Sequence, residues 1–190
     1  MLDGTTSSSW RNAQVKSLAD TLFEERSRQI RDGSYPLHIA TSNGAPRKVI
    51  EMLMKAAPDV LSLTDKFGRT CLHLAVATGA TIDSSVPIDQ NQDMYIKYQP
   101  KITLDTIKLL YSMDKSQLST HDVAKNLPLH TALQGCCSIE CVKFLLQHYP
   151  HAIHKKNKDG MTPFEVALKF SCCSKDISDV LKQYASHDEL

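Results

Sequence analysis

The chain has 190 residues and a formal charge of +1, set by 22 basic and 21 acidic side chains. That balance leaves no electrostatic footprint for nucleic acid or an anionic membrane, and no apolar run reaches the roughly 18–20 residues of a membrane span. The length allows one ordinary domain or one short solenoid, and the low aromatic content (6 %) suits a thin stack of helices.

Residues 1–12 are polar and rich in Ser and Thr, so a disordered tail is expected there. Met1–Trp10 contains no apolar core of a secretory signal. Residues 13–32 read as helical, with Val15, Leu18, Leu22 and Phe23 on one side. A six-residue pattern then begins at Tyr35-Pro36-Leu37-His38-Ile39-Ala40. It returns as Thr70-Cys71-Leu72-His73-Leu74-Ala75, as Leu127-Pro128-Leu129-His130-Thr131-Ala132, and in a worn form as Thr162-Pro163-Phe164-Glu165-Val166-Ala167.

The central residues Leu37, Leu72, Leu129 and Phe164 are separated by 35, 57 and 35 residues. The middle step is one period plus 22, so a single insertion accounts for it. Gly33, Gly68 and Gly160 keep the register, with Lys125 in the glycine slot of the third copy. Leu61, Leu118 and Ile153 keep it too, as do the pairs Ile50-Leu53, Ile107-Leu110 and Val142-Leu145. Within each copy, Thr70 and Thr162 can accept orphan backbone N–H groups, for about 1 kcal/mol each. Pro36, Pro128 and Pro163 open helices where a missing N–H costs nothing. Second amphipathic helices are expected over 47–55, 106–111, 140–147 and 176–184. No single helix pair can bury its apolar face, so the pairs must stack.

These motifs resemble the ankyrin-repeat family, whose signature is T-P-L-H-x-A at a period of about 33 residues, as a turn plus two helices. The two extra residues per period fall after the second helix, around Pro58 and Pro150. The resemblance implies an all-α, ankyrin-type helix-turn-helix solenoid over 33–184, with units 33–67, 68–124, 125–159 and 160–184. Val15 and Leu18 lie 35 residues before Ile50 and Leu53, so 13–32 is expected to be a helical N-terminal cap. The insertion, 81–102, falls between the two helices of the second unit. Met94, Tyr95, Ile96 and Tyr98 make its second half a candidate contact element beside the plainer reading of a surface loop. Residues 185–190 are expected to be a loose tail.

That tail ends His187-Asp188-Glu189-Leu190, which matches an endoplasmic-reticulum retrieval signal. A retrieval receptor reads such a signal only on a chain that has entered the secretory pathway. The tail is therefore read as coincidence and the cytoplasm as the expected compartment. The lumen of the endoplasmic reticulum is the alternative, should a signal peptide stand upstream of Met1.

The histidines and cysteines invite a metal or catalytic reading that the register removes. His38, His73 and His130 are one repeat position, to which the resemblance assigns a structural role within the turn and toward the next unit. His148, His151 and His154 fall in a loop between units, beside Pro150. Cys71 takes a proline slot, Cys137 and Cys172 take alanine slots, and Cys141 matches Val49; Cys136 and Cys173 are less well explained. Structural filling is the expected role, with a disulfide or zinc site as the minor alternatives. No nucleophile elbow, phosphate loop or HExxH is present, so neither catalysis nor a cofactor or metal is expected.

The resemblance implies non-catalytic binding of a protein partner, by a monomer, through turn tips and first helices. Those positions are Lys66, Phe67 and Arg69; Val123, Ala124 and Asn126; and Lys158, Asp159 and Met161. On the first helices they are Ala77, Thr78, Gln134, Lys169 and Phe170. The alternatives are a regulatory ankyrin segment of a larger protein and a cysteine-based redox- or metal-responsive protein.

Overall fold

The computed structural model describes residues 33–78, 103–171 and 174–187, without the side chains of Thr78 and His187. The expected tail and cap (1–32) and the insertion (81–102) lie outside the described residues. Within them the molecule is all-α, with eight helices and no strand: α1 Pro36–Ser42, α2 Arg47–Ala56, α3 Cys71–Thr78, α4 Leu104–Met113, α5 Pro128–Gln134, α6 Ile139–His148, α7 Pro163–Lys169 and α8 Lys175–His187.

Local chemistry sets where these helices start. Proline holds the first position of α1, α5 and α7. The Thr70 hydroxyl accepts the His73 N–H (3.4 Å), and the Thr162 hydroxyl accepts that of Glu165 (3.4 Å). Ser138 and Ser174 cap α6 and α8 in the same way, through the N–H groups of Cys141 and Ile177. Helices α2, α4 and α6 are each followed by a 3-10 turn, Pro58–Ser62, Lys115–Leu118 and Pro150–His154. The third of these occupies the expected loop of His151 and His154, and His148 is the last residue of α6. Helix α8 runs on to His187 where a loose tail was expected from 185. Ser174 starts it, Ile177, Val180 and Leu181 bury one face, and the helix runs three residues past the expected end at Tyr184.

The odd helices form one row, α1 on α3, α3 on α5 and α5 on α7, while α2, α4 and α6 pack behind α1, α3 and α5. Helix α6 is flanked by α4 and α8. Leu37, Leu72 and Leu129 are buried at equivalent places in the row, and Ala75 and Ala132, both fully buried, let the helices approach closely. Val60, Leu61, Leu118, Ala152 and Ile153 of the 3-10 turns close one continuous apolar cluster with the second helices.

The backbone repeats with the same period. Gly33, Gly68, Lys125 and Gly160 all have positive φ (69°, 72°, 57° and 76°). A second set, Gly44, Cys136 and Ser171, is also left-handed (63°, 52° and 56°), at the turn between the paired helices.

Candidate functional site

Three loops, 63–70, 120–127 and 155–162, lead into α3, α5 and α7, and each is built on one side chain. Asp65 Oδ1 accepts the N–H groups of Phe67 and Arg69, both at 2.9 Å. Asp122 Oδ1 accepts those of Ala124 (2.9 Å) and Asn126 (2.7 Å). Asn157 Oδ1 accepts those of Asp159 (3.1 Å) and Met161 (3.0 Å). The three stand 57 and 35 residues apart, a recurrence present in the sequence that the search for apolar and histidine motifs passes over. Burial would raise the Asp65 carboxyl pKa, but the Arg69 guanidinium (Nη2 at 2.7 Å) and the backbone bonds outweigh it and hold it below its ordinary value.

The loops are joined to one another. Val123 N–H donates to the Phe67 carbonyl (2.9 Å), and Lys158 N–H donates to the Ala124 carbonyl (2.8 Å), the same link one unit on. The tips therefore form a continuous ledge.

Beneath the ledge sit the repeated histidines. In each, Nδ1 accepts the N–H just before its helix: Tyr35 to His38 (3.2 Å), Thr70 to His73 (3.3 Å) and Leu127 to His130 (3.2 Å). Their Nε2 atoms reach the carbonyls of Leu63 (3.2 Å), Asn126 (3.1 Å) and Lys155 (3.1 Å). With Nδ1 accepting and a carbonyl opposite Nε2, the network assigns the neutral, Nε2-protonated tautomer. Burial lowers all three pKa values, and the carbonyl bonds oppose it only in part. Glu165 does only the local half of this work, its Oε2 accepting the N–H (2.7 Å) and hydroxyl (2.8 Å) of Thr162.

The expected partner-binding residues divide in this geometry. Lys66, Phe67, Val123 and Lys158 are exposed on the ledge, with Ala124 and Asp159 beside them, and Arg69 is half-buried against Asp65. The Phe67 ring lies between Lys66 Nζ (5.0 Å from its centroid) and Arg69 Cζ (4.8 Å). Asn126 is not a surface residue. It is 6 % exposed, because its side chain donates to Asp122 Oδ2 (3.1 Å) and accepts from Asn157 Nδ2 (3.0 Å), which draws it under the ledge. Met161 is half-buried against the core, where an outward apolar side chain was expected. Ala77 and Thr78 end α3, Gln134 ends α5, and Lys169 ends α7 with Phe170 as its cap. These lie about a helix length from the tips, some 10 Å at 1.5 Å per residue. There Lys169 Nζ stands 5.8 Å from the exposed Phe170 ring. Tyr95 and Tyr98 lie outside the described residues.

Three of the four described cysteines are inert filling. Cys71, Cys137 and Cys141 are free and buried. Burial pushes the Cys71 pKa up to about 12. The contact with Cys137, reinforced by burial, raises that of Cys141 well above the ordinary thiol value. Thiols held neutral in this way are poor nucleophiles and poor metal ligands. Cys136 differs: it is exposed, left-handed and disulfide-bonded, which the filling reading does not anticipate. Among the described residues no three His, Cys, Asp or Glu side chains are placed to hold a metal ion, and no helix is long and apolar enough to cross a membrane. Compared with family models and with curated proteins, the chain matches none of either.

Proposed function

We propose that this chain is a non-catalytic, ankyrin-type monomeric scaffold that holds a protein partner on its ledge of turn tips, with the disulfide of Cys136 favouring the oxidising lumen of the endoplasmic reticulum over the cytoplasm. The observation that carries the reading is the division of labour within each loop. Asp65, Asp122 and Asn157 lock the backbone of each loop through their side chains, while the side chains of Lys66, Phe67, Val123 and Lys158 are exposed on its outer side. A rigid backbone presenting large exposed side chains loses little conformational freedom when it binds, and aromatic side chains on such a base are the usual interface anchors. The neutral, doubly bonded histidines belong to the frame of this scaffold rather than to any chemistry.

The test is a partner isolated by affinity purification and its affinity for a Phe67→Ala/Val123→Ala variant. Loss of either anchor at an interface centre costs about 1 kcal/mol or more, so the pair is expected to weaken binding by about thirtyfold or more. Undiminished affinity would remove these two anchors from the reading.

A further inference from the structure

Although the chain as a whole is nearly neutral, its charge is not evenly spread over the tips. Lys66, Lys125, Lys155, Lys156 and Lys158 are exposed on or beside the three loops. The carboxylates there are committed or few. Asp65 is buried and paired with Arg69. Asp122 is occupied by two backbone N–H groups and the Asn126 amide. Asp159 is the one exposed carboxylate among the described residues of these loops. Between the lysines lie two apolar side chains, Phe67 (46 % exposed) and Val123 (61 % exposed), brought together by the Val123 N–H to Phe67 carbonyl bond.

We infer that the ledge binds an extended acidic peptide in which carboxylates alternate with apolar side chains. The inference rests on the scaffold reading and names the partner's chemistry. The tips follow the row α1, α3, α5 and α7, and packed helices stand about 8–10 Å apart. Three residues of extended chain span about 10 Å at 3.3 Å each. A strand laid along the ledge thus brings every third residue to a new tip, where a carboxylate meets a lysine and the residues between meet Phe67 and Val123. Single-stranded nucleic acid fits less well, because it needs a series of aromatic faces for its bases. Among its described residues this ledge offers one phenyl ring, already flanked by Lys66 and Arg69, the imidazole of His121 and an aliphatic Val123, short of a series of base-stacking faces.

Fluorescence anisotropy on the full chain tests this with three labelled probes: a peptide of three Glu-Val-Ser repeats, its Lys-Val-Ser counterpart, and an oligothymidylate. The Glu peptide is expected to bind best, and to weaken by about tenfold when salt rises from about 0.05 to about 0.5 M. Lys66→Glu/Lys125→Glu/Lys158→Glu is expected to weaken it by at least about tenfold through like-charge repulsion. Lys48→Glu/Lys108→Glu/Lys143→Glu, on the exposed sides of α2, α4 and α6, is expected to change it by less than about twofold. Circular dichroism confirms that both variants fold. A Glu peptide bound no better than its Lys counterpart or the oligothymidylate, or weakened equally by both triple variants, overturns the inference. Selection from a random peptide library separates it from its premise. Neutral peptides that lose binding on Phe67→Ala would overturn the acidic partner and keep the scaffold, whereas a library yielding no ligand, with the Glu peptide also unbound, would count against both.

Discussion

An imidazole at the third position of a helix can satisfy two partners at once, one on each nitrogen. At His73 these are the Thr70 N–H, an orphan of the helix start, and the Asn126 carbonyl of the next unit. The first bond is what a glutamate gives in a capping box, and Glu165 supplies it for α7. The second requires a donor, which an ionised carboxylate lacks. Backbone strain also acts at this scale. Lys125 holds φ at 57° where the other units have glycine, a conformation that costs a residue with a Cβ about 1 kcal/mol. Lys125→Gly is therefore expected to raise stability by about 0.5–1 kcal/mol, read as a higher urea midpoint with an unchanged slope. A lower midpoint would mean that the Lys125 side chain contributes more to the fold than its backbone strain costs.

For the helices, close approach matters more than propensity. A Cβ built on Gly135, at the end of α5, would sit 2.8 Å from the Ala77 carbonyl oxygen of α3. Backbone cannot yield there without parting the two helices, so Gly135→Ala is expected to cost about 2 kcal/mol by thermal or urea unfolding. A neutral result would show that the row has slack. Most of this element-level order is legible in the chain, because Leu37, Leu72 and Leu129, the helix-opening prolines and the glycine slots are local signals that recur in register. What escapes is what depends on distant partners. Asn126 reads as a surface residue until Asn157, 31 residues on, is seen to hold it down. Gln117 stands in the slot of Val60 and Ala152, and its purpose shows only when its carbonyl oxygen accepts the Leu72 N–H, 45 residues back (2.9 Å). Polar side chains used for long-range bonds look, in sequence, like polar side chains facing water.

Across the whole molecule the buried histidines act together on stability. Each has its pKa lowered from 6.5 by burial, so each is neutral in both states above that pH and contributes its full stability there. As the pH falls through 6.5 the unfolded chain takes up protons that the folded chain refuses, and stability falls until the lowered folded pKa values are reached. Each group adds a slope of up to about 1.4 kcal/mol per pH unit in that window. The carboxylates of Asp65 and Glu165, whose pKa values lie below 3.8 and 4.5, act only under more acid conditions, where their loss also destabilises. Urea midpoints are expected to be level from pH 8 to 7 and to fall steeply toward pH 5.5. A flat profile across pH 6.5 would mean that the three rings take up protons in the folded chain as readily as in the unfolded one.

Helices α3 and α4 pack against each other although 25 residue steps separate Thr78 from Thr103 in the sequence. The bonds that seat α3 and the loop before it come from elsewhere: Gln117 to Leu72, Asn126 to His73, and Val123 to Phe67, all reaching them from beyond α4. On these bonds the two halves are expected to hold together without covalent continuity between Thr78 and Thr103. Separately expressed polypeptides 1–90 and 91–190 are expected to find each other and co-purify as a complex with the helical spectrum of the intact chain, and Gln117→Leu should weaken that reassembly. Two halves that stay apart would show that the tether supplies what these noncovalent bonds do not. A seam between α3 and α4 that reassembles in this way would serve as the site of an inducible on-switch.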